Sequence, residues 1–299
     1  MNILIVVVLY KINLDNSLTY NSLLKVFNET PDILSSVKCI MYDNSPSRMY
    51  DYTKNKFAYE YVHDCENGGL AAAYNYALNA AITNNYDWIL LLDQDSILSS
   101  DFMKISIDNL KEKKIDENVV AVVPKVICNN RVISPSKDIF GTILNSKVSG
   151  ICDFPITAIN SGSFIKTSFL KEIGGFNKIF KLDSLDHWLF HIIYSCGKSV
   201  FISDTMIEHE LSVTDFNKYM SVERYENILR AEALFLRLYK SRKDNLLYII
   251  RLLARVFKTL ITVRNKFICL VVLKHFLVTF GYVFSSSHSD IENKSDQHL

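Results

Sequence analysis

The chain has 299 residues, 49% of them hydrophobic, with 33 basic and 32 acidic side chains and a formal net charge of +1. That composition supports a folded core of ordinary size and excludes both a disordered chain and a disulfide-stapled mini-domain. The near balance of charge leaves no global positive field, so nucleic acid is not expected as a partner.

In chain order, the apolar opening Ile3 to Leu9 is followed at once by Lys11 and Asp15. It is too short for a secretory leader and reads as a buried strand. Further strands are expected near 37–42, 57–62, 88–92 and 119–123, with helices over 16–28, 69–83 and 100–113. Apolar β-rich runs alternating with helical patterns predict an α/β fold: a mostly parallel sheet flanked by helices, with nucleotide chemistry at the carboxyl ends of its strands. From about 130 to 160 the pattern breaks into Asn, Ser, Pro and Gly, as loops and short strands do. A helix is expected from Ser184 to Cys196 with Gly197 to stop it, then a strand near 199–203 and a helix over about 215–240. The polar stretch 285–299 reads as a flexible tail. The six cysteines Cys39, Cys65, Cys128, Cys152, Cys196 and Cys269 form no Cys-x-x-Cys pair and read as reduced thiols of a cytosolic protein.

The strongest local signal is Leu90-Leu91-Leu92-Asp93-Gln94-Asp95, an apolar strand ending in two carboxylates one residue apart. Hard oxygen ligands so placed suit Mg²⁺ or Mn²⁺, and such an ion helps a diphosphate depart. The same residues could simply cap the following helix. Tyr42-Asp43-Asn44-Ser45-Pro46 follows a second strand, where Asp43 could accept from a nucleobase N–H or merely shape a turn. Asn67-Gly68-Gly69-Leu70-Ala71-Ala72-Ala73-Tyr74-Asn75 opens a helix with small residues, but it is neither a Rossmann fingerprint nor a P-loop.

Taken together, Val6 to Lys11, Asp43-Asn44-Ser45, Asn67-x-Gly69 with Asn75, and Asp93-x-Asp95 resemble the pattern of glycosyltransferase family 2. The resemblance continues through Asn160-Ser161-Gly162-Ser163-Phe164, Gly174-Gly175-Phe176, Asp183 to Trp188 and Glu208-His209, and so covers about residues 1–215. It is similar in particular to the bacterial branch that holds rhamnosyltransferases and galactofuranosyltransferases of cell-surface polysaccharide assembly. The resemblance implies a GT-A type nucleotide-binding fold, inversion at the anomeric carbon in one displacement, and a divalent cofactor, Mg²⁺ or Mn²⁺.

Carried over residue by residue, Tyr10, Asn67 and Gly69 resemble nucleotide-site positions, and Asp43 the base-recognising residue. Asp93 resembles the ribose or metal-supporting residue, Asp95 the direct metal ligand and His209 a second ligand. Asp186 resembles the general base that takes the acceptor's proton, a role needing one carboxylate and no covalent intermediate. As first-turn helix charges, both Asp183 and Asp186 could instead answer the helix dipole. Ser161, Gly162, Asp183 and Trp188 are candidates for the acceptor site. His187-Trp188 departs from the acidic-then-Trp pattern of many rhamnosyltransferases, which bears on donor and acceptor identity.

Beyond the resemblance, Lys240, Arg242, Lys243, Arg251, Arg255, Lys258, Arg264, Lys266 and Lys274 face the single acid Asp244, interleaved with apolar residues at helical spacing. This is the composition of a helix at a membrane interface, attracted to anionic lipid, and equally of a helical subdomain. Phe267 to Phe284 approaches spanning length but carries Lys274 and His275 at its centre, where a charge is costly. An interfacial helical hairpin is expected. The divisions are a catalytic domain over 1–215, a helical membrane-associating region over 216–284 and the tail. The reading is a hexosyl-transferring enzyme of O-antigen or capsule-type synthesis, with dTDP-rhamnose or a UDP-hexose as donor and a lipid-linked oligosaccharide as acceptor. It would work peripherally at the cytoplasmic face of the inner membrane. A metal-dependent nucleotidyltransferase and a non-catalytic membrane scaffold are the alternatives. The first lacks its phosphate loop at Leu9-Tyr10-Lys11-Ile12, and the second has no need of strand-end carboxylates.

Overall fold

A computed structural model describes residues 1–49, 57–111, 116–137, 143–144, 148–152, 154–209, 220–263 and 265–285. The chain divides into two compact units, Met1–Leu211 and Ser212–Leu299.

The first unit is a sheet covered by helices. β1 (Ile3–Leu9) is wholly buried and pairs in parallel with β2 (Val37–Asp43) on one side and β4 (Trp88–Asp93) on the other. β3 (Glu60–His63) extends this parallel group beyond β2. A strand such as Ile-Leu-Ile-Val-Val-Val-Leu has no polar face, because helices cover both sides of it. α1 (Leu18–Glu29) begins where the Ser17 hydroxyl accepts from the Tyr20 amide. α2 (Gly69–Thr83) lays Ala71, Ala73, Ala77 and Ala81 inward, and these small side chains let the helix lie close to β1 and β4.

β5 (Ser96–Ile97) and α3 (Ser100–Lys111) lead to β6 (Val119–Cys128) and β7 (Arg131–Ser134). Then come β8 (Gly150–Cys152), β9 (Ser163–Lys166), α4 (Thr167–Glu172), α5 (Leu185–Ser195) and β10 (Ser199–His209). The sheet order is β3-β2-β1-β4-β9-β6-β10-β5, with β7 on β6 and β8 on β10. The sheet is therefore mixed. The first four strands are parallel, but β9 runs antiparallel between β4 and β6, and β5, β7 and β8 are antiparallel to their partners.

Two strands run longer than the sequence pattern indicates. β6 reaches Cys128 and stays buried through Val126, whereas β10 reaches His209 because its outer half alternates, placing Asp204, Met206 and Glu208 outward and Thr205, Ile207 and His209 inward. Buried Lys125 of β6 meets exposed Asp204 of β10 at 3.2 Å.

The second unit contains α6 (Val222–Tyr239), α7 (Arg242–Thr262) and α8 (Lys266–Ser285). The expected helix start at 215 falls on residues outside those described, as does the tail after 285. Ser241 and Asp244 form a reciprocal capping box at the start of α7. α7 and α8 are an antiparallel hairpin, in which the Tyr248 ring meets His275 and the Cys269 thiol reaches the Val256 carbonyl. Arg255 of α7 grips the Glu232 carboxylate of α6 with both terminal nitrogens, at 2.6 and 3.2 Å, and the Tyr248 hydroxyl donates to the same carboxylate. Lys274, the charge at the middle of the apolar helix, lies 3.6 Å from Glu226 of α6. Over Lys266–Val283, α8 is long and apolar enough to cross a membrane by length and composition. All six cysteines are free.

Candidate active site

Register assembles the site. In the parallel group Leu9 is level with Asp43, and Val8 with Asp93, so β1, β2 and β4 end together at one edge of the sheet. Tyr10, Asp43 and the Asp93-Gln94-Asp95 turn all leave from that edge. Residues past Asp95 fold into β5, whose pairing with β10 sets Ser96 opposite His209. A residue 114 positions along the chain from Asp95 is thereby delivered to it.

Asp93, Asp95 and His209 each offer a ligand atom, all within 4.8 Å of one another. His209 Nδ1 lies 3.4 Å from Asp95 Oδ1, and its Nε2 lies 3.9 Å from Asp93 Oδ2. The imidazole is buried, whereas both carboxylates are partly open to solvent. Burial foremost pushes the Asp93 carboxyl up to about 6; His209 opposes the rise, and the nearby charges of Asp95 and Asp186 reinforce it. Two carboxylates held together with one imidazole form a donor set that a divalent cation fits.

A buried hydroxyl network holds the set. The Ser161 hydroxyl accepts from the Asp93 amide at 3.0 Å and lies 2.6 Å from the Ser96 hydroxyl, which in turn lies 3.0 Å from His209 Nδ1. With Ser96 on Nδ1, the Nε2 edge of the ring is left for a cation. The Thr19 hydroxyl donates to the Asp93 and Ser96 carbonyls, and the Gln94 carbonyl accepts from Ser17 and from the Thr19 amide. The Gln94 side chain meanwhile accepts from the Tyr10 amide at 2.7 Å. Ser17, Thr19, Gln94 and Ser96 were not among the sequence candidates. Their only signal was a helix cap and a polar residue between two acids.

The structure separates the remaining candidates. Tyr10 presents its ring at 42% exposure, with the Lys11 ammonium 4.9 Å from the ring centroid. Asp43 is 1% exposed, and its oxygens already accept from the Ser45 and Met49 amides and from the Tyr61 hydroxyl. Asn67 is an exposed turn residue at φ 50°. Gly69 is buried at φ 78°, and a Cβ there would stand 2.3 Å from the Lys181 carbonyl, so chain packing alone demands glycine. Ser161 is fully buried in the network just described, and Gly162 is pressed between Pro124 and Ile207. Asp186 lies in the first turn of α5, partly buried and close enough to Asp93 to raise its pKa. Asp183, also partly exposed, precedes that helix, and Trp188 packs inward, its ring centroid 6.4 Å from that of Phe176.

Asn75 joins two of the motifs. Its amide donates to the Phe176 carbonyl and accepts from the Phe176 amide, each at 2.8 Å, which docks the Gly174-Gly175-Phe176 turn on α2. The turn leads directly to α5 and Asp186.

Residues 39–172 match the family described as Glycosyl transferase family 2. No curated protein matches the chain. Among solved structures, the S. aureus TarS fragment 1–349 in complex with UDP-GlcNAc superposes with a TM-score of 0.54 at 16% identity, over 95% of this chain and 80% of that one. The same fragment without that ligand gives 0.51 at 15%, over 96% and 93%. Against the longer S. aureus TarS structure the score is 0.51 at 16%, over 95% of this chain but only 55% of that chain. At these identities the likeness is one of fold.

Proposed function

We propose that this chain, whose residues 39–172 match glycosyl transferase family 2, is a metal-dependent, inverting glycosyltransferase that takes a sugar from a nucleoside diphosphate carrier. The observation that carries this reading is the convergence of Asp93, Asp95 and His209 at the strand ends, with Asp186 close enough for its charge to act on Asp93. The fold is that of a protein solved with UDP-GlcNAc, which favours a UDP-sugar among the possible donors. dTDP-rhamnose remains in the panel to be tested because the motif pattern resembles the rhamnosyltransferase branch.

Asp95 and His209, with Asp93 beside them, would hold the cation, which neutralises charge on the departing diphosphate. An imidazole in the set favours Mn²⁺ over Mg²⁺, since magnesium prefers oxygen alone. The exposed Tyr10 ring offers a face for the base, and Asp43 shapes the loop beside it through Ser45, Met49 and Tyr61. Asp186 takes the proton from the acceptor hydroxyl as that oxygen attacks the anomeric carbon. One new C–O bond forms, the bond to the diphosphate breaks, and no second nucleophile is required, so the anomeric centre inverts.

The acceptor is a lipid-linked saccharide in polysaccharide assembly, reached at the cytoplasmic face of the membrane. Support comes from the hairpin of α7 and α8, where Ile250, Phe257, Ile261, Phe267, Leu270 and Leu277 are exposed among basic residues. The test is mass spectrometry of products formed from a synthetic lipid-diphosphate sugar with UDP-GlcNAc, UDP-glucose, UDP-galactose and dTDP-rhamnose, with and without EDTA. A product of inverted configuration that vanishes in EDTA and returns with Mn²⁺ is expected. Full turnover in chelator, or retained configuration, overturns the mechanism.

A further inference from the structure

The hydrogen bonding of β1 continues past the point where its partner strands leave it. Its register with β4 ends at Val8 opposite Asp93, and its register with β2 at Leu9 opposite Asp43. The next two amides still find acceptors, but on side chains. The Tyr10 amide donates to Gln94 Oε1 on the β4 side, and the Lys11 amide donates to the Ser45 hydroxyl on the β2 side, each at 2.7 Å. Successive amides of a strand point to opposite neighbours, so these two bonds carry the ladder one step further toward each. Lys11 then enters the left-handed region at φ 52°, a conformation that a lysine keeps only where its surroundings hold it.

Gln94 makes this extension possible beside the cation group. Its main chain has turned out of the ladder to carry Asp95 to His209, and its carbonyl is held by the Ser17 hydroxyl at 2.8 Å and the Thr19 amide at 3.2 Å. The side-chain oxygen therefore serves the Tyr10 amide in place of a strand carbonyl, since a backbone N–H can only donate. One residue thus has its backbone in the Asp93–Asp95 turn and its side chain on the peptide that carries the exposed Tyr10 ring. We infer that Gln94 is a positioning residue for nucleotide recognition: by taking the Tyr10 amide it sets the ring against which the base of a nucleoside diphosphate stacks. It acts through Tyr10 and touches neither the nucleotide nor the cation. The inference rests on the transfer reading above, in which Tyr10 faces the base. Glutamine suits the position, because asparagine is one methylene shorter and glutamate would add a further negative charge beside Asp93 and Asp95.

Gln94→Met keeps the length of the side chain and removes the acceptor. In the full chain with Mn²⁺, it is compared with Tyr10→Ala and with the double variant, by titration with UDP and dTDP and by steady-state turnover of the productive nucleotide sugar. Tyr10→Ala should weaken nucleotide binding about tenfold, the size of one lost base–aromatic stack. Gln94→Met should weaken it about fivefold, the size of one lost neutral hydrogen bond, and raise KM by the same factor. Its kcat and the Mn²⁺ concentration giving half-maximal activity should stay at the parent's values. The double variant should bind no more weakly than Tyr10→Ala, because both changes remove the same contact. Additive losses would show that Gln94 reaches the nucleotide by a route other than Tyr10. A raised Mn²⁺ requirement or a fall in kcat would place its role in the cation turn, and parental affinity in either single variant would leave no positioning role. Each of these outcomes overturns the inference and leaves the transfer reading standing. If the parent binds neither UDP nor dTDP, the transfer reading fails, and the inference falls with it.

Discussion

Asp186 and Asp93 are both partly buried acids near one point, yet their substitution should have opposite signatures. Asp186→Asn keeps shape and polarity but removes the proton acceptor, so turnover should fall by about 10² to 10⁴ while nucleotide-sugar affinity persists. Parental turnover in single-turnover assays would move the base to Asp183. Asp93 is a matter of charge. Its folded pKa, about 6, exceeds that of a free carboxyl at about 3.9, so the folded state holds an extra proton between these values. Cation-free stability therefore declines as pH rises from about 4 to about 6 and stays lower above that window. Asp93→Asn should melt a few degrees higher than the parent in EDTA at pH 7.5, lose that advantage below pH 4, and gain little from Mn²⁺. A variant that melts below the parent in EDTA at pH 7.5 would refute the charge-crowding account. The carboxylates could be read from the sequence because an apolar strand that stops on Asp-x-Asp is conspicuous. Ser96, Ser161 and Thr19 could not, since a hydroxyl's partners come from strands and helices far away along the chain, and Ser161 looks the same whether it faces substrate or holds the Asp93 amide.

At the scale of elements, the hairpin was legible as amphipathic spacing, and the structure refines which of its charges bear on lipid. Arg255 is spent on Glu232, and Lys274 faces Glu226, so replacing either tests the helix bundle and not the membrane. Lys243 and Lys258 are exposed on α7, and Ile261 and Phe267 are 81% and 68% exposed around the turn. Lys243→Glu with Lys258→Glu should weaken flotation with anionic vesicles at low salt, by on the order of 1 kcal/mol per charge near the surface. Ile261→Asp with Phe267→Asp should weaken it at high salt as well, because apolar burial is not screened. Sedimentation of the parent away from such vesicles at low salt would reassign the hairpin to protein contact. Arg255→Ala should instead lower the melting temperature, because it strands Glu232 beside the Tyr248 hydroxyl. Pattern reading fell short where β10 alternates, since an outward Asp204 or Glu208 resembles a loop until its partner strand is known.

At the scale of the whole molecule, the parallel half of the sheet was readable because residues buried on both faces leave uninterrupted apolar runs. The antiparallel insertion of β9 was not, because direction is decided by the connection through 130–160, whose Asn, Ser, Pro and Gly say only that the chain turns. The resulting strand order has a consequence for the molecule's behaviour at high concentration. The main path of the ten-stranded sheet ends on β3, four residues long, and β5, two residues long, while the side strands β7 and β8 have four and three. Long unpaired edges recruit foreign strands and seed aggregates. Among the described residues, every terminal strand of this sheet is too short to template one, and the long apolar strands β1, β4 and β6 are sealed between neighbours. Self-association of the folded chain is therefore directed away from the sheet and toward the exposed apolar helices, where detergent or lipid would suppress it.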